Sequence, residues 1–373
     1  MNQKIGLEVI SPVYIGKGSE YSRAEFGLAS FSGKNKIVRY NLDDVAQLIL
    51  KNEADLFDKF IDVISDTDNF KNKHADKNEV KYSGLQKFLI DKIKPKNLDL
   101  YKKIMNSYSY KCTRKYGKNI NYVNDIGIIK EHLKTNRGLY IPGSSIKGAV
   151  RNAFLYSRLN LSCGNGQVIK SINTEEGNLK EAMKFFHFTD TLNTIDEPSI
   201  YGVESMGTKR NTLSFLETID EGNKFEFEYY NSFNKKIHNK RDLKDFPLDI
   251  DSILKKIHDF SLDLIKEELR FIDETVPNSN YYDFDYDSLE NFYYDLHDKN
   301  TKKTPLLRLG HGSGALTVSQ LLNIKNSRRN QRQFTDFRRS NHIGKMYHYD
   351  FPKTRKLIVD TYKPLGWVQL SKK

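Results

Sequence analysis

The segment from Tyr140 to Phe154 constrains the fold more than any other part of the sequence, because it predicts a strand end, a turn and a helix start in close succession. Pro142 and Gly143 mark the turn, and Ser144 or Ser145 is suited to cap the helix. One face of this helix is apolar: Ile146, Ala149, Val150, Ala153 and Phe154. Such a helix must cover another layer, which we expect to be a sheet.

Other segments supply the strands of that sheet. Residues 5–9 alternate apolar and polar side chains, as do residues 224–230 around the turn at 220–223. Residues 26–40 predict a hairpin that turns at Ser32-Gly33, and the segments 184–190 and 212–219 also predict strands. After Asn41, a plausible helix cap, apolar residues have helical spacing over 42–60, and an amphipathic helix is predicted over 251–271. This mixture predicts an α+β fold.

The length of 373 residues predicts two domains. Residues 162–178 contain Gly, Asn and Ser and form the best candidate for a linker, whereas the Gly16/Gly18 segment predicts a flexible loop. We therefore expect an N-terminal domain over 1–165, with a helical insertion at about 61–135, and a C-terminal domain over 180–373, with a helical insertion at about 235–300.

The charge balance favours a polyanionic partner. Lys and Arg number 60 against 48 Asp and Glu, which gives a net charge of +12, although a lysine-rich proteome explains this excess equally well. Cys112 and Cys163 lack CxxC spacing, so we expect neither a disulfide framework nor a metal site. No apolar stretch matches a signal sequence or a membrane span. The sequence thus predicts a cytoplasmic protein without a cofactor or membrane partner.

Three segments are candidates for binding a polyanion. The first is the helix start, where free amides and small residues admit an anion beside Lys147 and Arg151, which are four residues apart. The alternative is a capped helix with two ordinary surface charges. The second is the run from Arg308 to Gly314, whose three glycines permit close contact with a ligand or, alternatively, tight packing against a strand. Neither segment has the spacing of a nucleotide-binding motif.

The third candidate is the basic segment 325–345, where arginines alternate with aromatic side chains. Guanidinium groups neutralise phosphates, and both residue types stack on unpaired bases. The alternative is a solvated charged surface. The side chains concerned are Arg328, Arg329, Arg332, Phe334, Phe337, Arg338, Arg339, His342 and Lys345.

Catalytic motifs are missing from the sequence, which contains neither HExxH nor GxSxG. His187, His311 and His342 are candidates for proton transfer in RNA cleavage, but scattered histidines are more often structural. The acidic segment 281–298 predicts a solubilising surface helix, with recruitment of another subunit or a maturation nuclease as the alternative. No catalytic residue is assigned.

The run from Ile141 to Arg151 resembles the signature of RAMP proteins from type III CRISPR-Cas complexes. Matching landmarks span the chain: residues 11–18, Phe188-Thr189-Asp190, Glu217-Thr218-Ile219, Phe225-Glu226-Phe227, the Gly310–Gly314 loop and Gly366-Trp367-Val368. The length, this late glycine loop and the ending Pro364-Leu365-Gly366-Trp367 resemble the type III-A (Csm) subunit that caps the backbone filament.

The resemblance implies two ferredoxin-like, RRM-like βαββαβ domains and a non-catalytic subunit that binds crRNA at its 3′ end and supports crRNA maturation. Its partners would be crRNA, the backbone RAMP subunit and other Csm subunits, with target RNA and a maturation nuclease as further candidates. The predicted RNA-binding residues are Gly16, Lys17, Gly18, Gly143, Ser144, Ser145, Lys147, Arg151, Arg308, Gly310, His311, Gly312, Ser313, Gly314, Arg328, Arg329, Arg338, Arg339 and Lys345.

A cleavage role is disfavoured by the loop that follows the first strand. In the backbone subunit of such complexes, an aspartate after the N-terminal glycine turn cuts target RNA with a divalent metal. The corresponding residues 16–25 contain Glu20 and Glu25 but no Asp. The alternative function is a RAMP endoribonuclease that processes guide precursors through His311 or His342.

Overall fold

The computed structural model describes residues 2–22, 25–31, 34–65, 84–107, 112–114, 128–136, 138–158, 167–207, 212–233, 249–275, 286–326, 352, 354–359 and 361–373. Within these ranges the chain combines helices with several β-sheets, so the predicted α+β class is confirmed. None of the helices in the same ranges has the length and apolarity needed to cross a bilayer.

The strands are β1 (Gln3–Val9), β2 (Gly16–Ser22), β3 (Phe26–Phe31), β4 (Lys34–Arg39), β5 (Cys112–Arg114), β6 (Ile128–His132), β7 (Lys134–Thr135), β8 (Gly138–Leu139), β9 (Phe186–Phe188), β10 (Ser199–Met206), β11 (Thr212–Thr218), β12 (Lys224–Asn231), β13 (Leu306–Arg308), β14 (Arg355–Ile358) and β15 (Trp367–Lys372).

The helices are α1 (Leu42–Asn52), α2 (Phe57–Ser65), α3 (Gly84–Phe88), α4 (Lys94–Lys96), α5 (Leu98–Ser107), α6 (Gly143–Arg158), α7 (Gln167–Met183), α8 (Ile250–Thr275), α9 (Tyr286–Lys299), α10 (Ala315–Val318) and α11 (Leu321–Asn326). A 3₁₀ turn (Ala54–Leu56) precedes α2, and a π turn (Leu89–Ile93) joins α3 to α4.

A five-stranded antiparallel sheet in the order β13-β15-β1-β12-β9 forms one layer of the described fold. The predicted alternation is confirmed, because Ile5 and Leu7 on β1 and Phe225 and Phe227 on β12 are buried under the helices. Helices α6, α8 and α9 contribute buried apolar side chains to the same core. Burial of this large apolar area is the main force that holds the sheet to its helical layer.

A second, eight-stranded sheet follows the order β2-β6-β11-β10-β5-β4-β3, with β14 paired to β10. The predicted hairpin is confirmed as β3 and β4, which pair from Phe26 with Arg39 to Phe31 with Lys34. Helices α1, α2, α3 and α5 pack with Val38 and Tyr40 into a separate apolar cluster. The predicted cap is also confirmed, because the Asn41 side chain accepts hydrogen bonds from the amides of Asp43 and Asp44. The helix predicted over 42–60 is interrupted at Glu53, where α1 ends.

Two predictions about connecting segments are wrong, the linker at 162–178 and the flexible loop at Gly16/Gly18, while the described part of the insertion predicted over 61–135 contains both helices and strands. Most of the proposed linker at 162–178 lies in helix α7, and residues 162–166 are outside the described ranges. Leu179, Ala182 and Met183 at the end of α7 pack into the main core, so tertiary contacts outweigh the Gly and Asn content. The Gly16/Gly18 loop is strand β2, paired with β6, and β6 is itself a strand within the predicted helical insertion.

The acidic segment also differs from a simple surface helix. Its described part forms α9, whose Leu289, Phe292, Tyr293 and Leu296 are buried against the main core. One face of α9 therefore packs into the main core. The division into domains at residues 165–180 stays a prediction, although strands from both proposed domains pair within the five-stranded and the eight-stranded sheet.

Candidate RNA interface

The start of helix α6 packs against the end of strand β9 and the residues that follow it. The Gly143 amide donates a hydrogen bond to Asp190 Oδ1 at 2.8 Å, and the amides of Ser145 and Ile146 both point to the Pro142 carbonyl. A Cβ atom on Gly143 would lie 2.1 Å from the Phe188 carbonyl oxygen. The signature glycine thus permits packing on β9, and Asp190 caps the helix in place of the predicted Ser144 or Ser145.

The outward face of α6 is open and positively charged. Ser144, Lys147, Gly148 and Arg151 share this face at helical spacing, with Ser144 and Gly148 exposed. In the described part of the chain, no atom outside the backbone of this helix lies within 4 Å of a Cβ built on Gly148. Burial lowers the pKa of Lys147, and Arg151 contacts Glu176 only at 4.0 Å. We name Ser144, Lys147, Gly148 and Arg151 the α6 basic face.

An aromatic pair on neighbouring strands lies near this face. His187 on β9 stacks on Tyr230 of β12 with ring centres 4.5 Å apart and planes inclined by 9°, and its Nε2 is 2.8 Å from Ser232 Oγ. The pKa of His187 is lowered by burial and then by the charge of Lys147. Cations next to aromatic surfaces suit single-stranded nucleic acid. Sequence reasoning considered His187 only for proton transfer and missed Tyr230.

The glycine loop, residues 310–314, is held in one shape from within. The buried Arg308 guanidinium donates to the Leu365 carbonyl at 3.0 Å and to the Gly312 carbonyl at 3.2 Å. The Ser313 hydroxyl, also buried, donates to the Gly310 carbonyl at 2.8 Å. Both side chains point inward and shape the loop, so the predicted contacts of Arg308 and Ser313 with RNA stay a prediction.

The structure brings the glycine loop next to the start of β2. The His311 amide donates to the Tyr14 carbonyl at 2.8 Å, and the two rings meet edge to face at 5.6 Å. A Cβ on Gly310 would lie 2.5 Å from the Tyr14 carbonyl oxygen, and one on Gly16 would lie 2.8 Å from the Tyr14 hydroxyl. Both glycines therefore allow close packing around Tyr14, while Gly18 has open space and a φ of +88°.

Lys17 lies in an irregular part of β2, where the pairing with β6 shifts between Gly16 and Glu20. Its ammonium is 3.8 Å from the buried Glu131 carboxylate. Burial opposes ionisation of Glu131, but hydrogen bonds from Ser19 and Lys134 and the charges of Lys134 and Arg39 lower its pKa to about 2. Lys17 thus shares a permanent counter-charge with two other cations.

Two lysines near the glycine loop were missed by sequence reasoning. Lys356 Nζ on β14 lies 2.6 Å from His311 Nε2. The pKa of His311 is lowered by burial and by the charges of Lys356 and Lys130, and that of Lys356 is lowered by burial and Lys130. These groups create a positive region at the loop. Lys130 was hidden because its strand had been assigned to the helical insertion.

The third candidate segment lies outside the described residues from residue 327 onward, which includes Arg328, Arg329, Arg338, Arg339, His342 and Lys345. Its flanks are described: Lys325 contacts Glu267, and Arg355 Nε lies 2.7 Å from Glu268 Oε2. Within the described ranges, no three His, Cys, Asp or Glu side chains are grouped as metal ligands, and Glu20 and Glu25 join no such group.

Known proteins resemble this chain over its whole length. The RAMP superfamily profile matches residues 6–317. A protein of Methanocaldococcus jannaschii described as CRISPR system Cms protein Csm5 is 24% identical over 414 residues, which include all of this chain and 89% of that protein.

Two solved structures share the fold. A chain of a Csm-crRNA-target RNA ternary complex from a type III-A CRISPR-Cas system matches with a TM-score of 0.61 and 19% identity over 100% of both chains. The crystal structure of T. onnurineus Csm5 matches with the same TM-score and identity over 97% of this chain and 99% of that one. Because the profile covers most of the sequence and the signature run lies within it, this chain belongs to the RAMP superfamily.

Proposed function

We propose that this chain is a non-catalytic crRNA-binding subunit of a type III-A Csm complex, placed at the crRNA 3′ end where it caps the backbone filament. The full-length similarity to proteins named Csm5 and to a chain of a Csm-crRNA-target RNA complex supports this function. Two ferredoxin-like domains, divided near residues 165–180, are part of the same proposal. The proposal also includes the other Csm subunits, target RNA and a maturation nuclease as partners.

The observation that carries the proposal is the α6 basic face beside the His187–Tyr230 stack. Lys147 is partly desolvated, and burial lowers its pKa. Among the described residues, the ion pair of Arg151 is the 4.0 Å contact with Glu176. A phosphate that approaches this partly buried ammonium group stabilises its charged form. Open space above Gly148 allows a nucleic-acid backbone to come close to the helix.

The helix-start amides contribute less than the sequence predicts. The Asp190 carboxylate accepts the hydrogen bond of the Gly143 amide and places negative charge where a phosphate would bind. RNA would therefore contact the side chains of the α6 basic face rather than the helix end. Arg308 and Ser313 act as positioning residues for the glycine loop, because both side chains are buried and donate hydrogen bonds to carbonyl groups of the loop.

The salt dependence of RNA binding tests this assignment. For single strands, each phosphate contact contributes about 0.7 to the slope of log K against log salt concentration. Lys147→Ala combined with Arg151→Ala should lower affinity for all sequences and reduce the slope by about 1.4.

A matched control is Lys224→Ala combined with Lys373→Ala, which removes two exposed lysines that pair with Glu8 and Glu226. The control should keep the wild-type slope. An unchanged slope in the Lys147/Arg151 variant would refute the assignment. Cleavage of the RNA during incubation, lost in His311→Ala, would instead support the endoribonuclease alternative.

A further inference from the structure

A cavity of about 610 Å³ opens beside the glycine loop. The loop forms one wall, the first turn of α10 forms a second, and Thr354 to Lys356 form a third. Its volume lies within the range of about 300 to 1,000 Å³ that is typical of small-molecule sites. The cavity is therefore large enough for a single nucleotide.

One side of the cavity is cationic. Lys356 Nζ lies 2.6 Å from His311 Nε2, and Lys130 is close enough to lower the pKa of both groups, so two lysines supply the positive charge on this side. Within the described part of the chain, no carboxylate forms an ion pair with Lys356. Glu268 also lines the cavity, but its carboxylate is committed to Arg355 at 2.7 Å and Arg308 at 3.9 Å. This side favours an anion.

Another part of the lining is apolar and partly exposed to solvent. Ala315, Leu316 and Val318 line it, and 61% of Val318 is exposed to solvent. A Cβ on Gly314 would meet no atom within 4 Å, which leaves space at the mouth. A phosphate would not bury this apolar surface favourably, whereas the face of an unpaired base would cover it and remove it from water.

We propose that this cavity receives one unpaired nucleotide of the bound RNA, with its phosphate against His311 and Lys356 and its base against the wall formed by Ala315, Leu316 and Val318. The inference rests on the proposed RNA-binding function and extends it from backbone contact to capture of a single base. The internal hydrogen bonds of Arg308 and Ser313 preorganise the loop, so little ordering accompanies binding.

The probes are short single-stranded oligoadenylates, each with one 2-aminopurine at a different position. This fluorescent base is quenched when stacked in the strand, so its emission rises when the base leaves the stack. The full-length protein should raise the emission at one or a few positions only, while fluorescence anisotropy reports total binding. Lys356→Ala should lower affinity about tenfold, as expected for loss of a charge-assisted hydrogen bond.

Val318→Glu is the decisive variant, because the side chain is exposed and its replacement leaves the core intact. It should abolish the position-dependent emission, whereas Leu192→Glu, at a leucine with 56% exposure, should preserve it. Binding without any such emission, or equal loss in both variants, would overturn the cavity proposal and leave the proposed function standing. Failure of the wild-type protein to bind the probes would overturn both.

Discussion

Two glycines on helix α6 should respond to alanine in opposite directions. A Cβ on Gly143 would lie 2.1 Å from the Phe188 carbonyl oxygen and 2.7 Å from the Thr189 carbonyl carbon and oxygen. These atoms belong to the backbone, so no side-chain rotation can relieve the contact, and α6 must move away from β9. A Cβ on Gly148 would meet nothing within 4 Å.

The magnitudes follow from these distances. Overpacking a well-ordered contact costs about 1 to 3 kcal/mol, and we expect Gly143→Ala to cost about 3 kcal/mol because only backbone atoms are involved. Gly148→Ala should instead stabilise the protein by about 1 kcal/mol, the difference in helix propensity between the two residues. The two variants should therefore differ by about 4 kcal/mol in the free energy of unfolding.

Urea unfolding followed by circular dichroism measures this difference. The midpoint should fall for Gly143→Ala and rise for Gly148→Ala, with unchanged slopes. Wild-type stability for Gly143→Ala would refute the conclusion that this glycine serves packing on β9. A shift of both variants in the same direction would refute the contrast between a closed and an open face of α6.

Further predictions concern buried charges. Burial, followed by the charge of Lys134, lowers the pKa of His132 to about 4 against an ordinary value of 6.5, despite a hydrogen bond to the Leu133 carbonyl. The unfolded state therefore takes up a proton first as the pH falls, and the free energy of unfolding should drop by about 2 kcal/mol between about pH 7.5 and 5. His132→Gln should remove most of this dependence; an equal pH dependence in the variant would contradict the prediction. Glu268→Gln should destabilise the protein by about 3 to 5 kcal/mol in the same urea assay, because it leaves Arg355 and Arg308 buried beside a neutral group, and a change below about 1 kcal/mol would show that the pairs contribute little.

Sequence patterns over a few residues predicted the elements that have one apolar and one polar face. Strand β1 and the β3–β4 hairpin follow from alternation and turn residues, and the cap on α1 follows from Asn41. Strand β10 was not predicted because most of its side chains are buried on both faces, which removes the alternation. Helix α7 was missed because Gly and Asn obscure a segment whose end is stabilised by the core.

The candidate site was predictable only where its residues are close in sequence. Lys147 and Arg151 share a helix turn, so their common face follows from spacing. The pairs His311–Lys356 and His187–Tyr230 depend on strand register and loop packing, which link residues 45 and 43 positions apart.

Arg308 illustrates a limit of composition. Its position beside three glycines suggested an exposed cation, but Glu268 and two backbone carbonyls provide partners inside the protein. A buried arginine is favourable only when such partners converge on it, and they come from residues distant in sequence. Charge alone therefore could not distinguish a residue that contacts RNA from one that shapes the loop.

The most direct test of the central claim is to purify the tagged protein from its native host and sequence the small RNA that accompanies it. We expect RNAs in which a constant repeat-derived 5′ segment joins varied spacers, with 3′ ends of ordered lengths. Recovery of bulk tRNA, or of protein without RNA, would contradict crRNA binding.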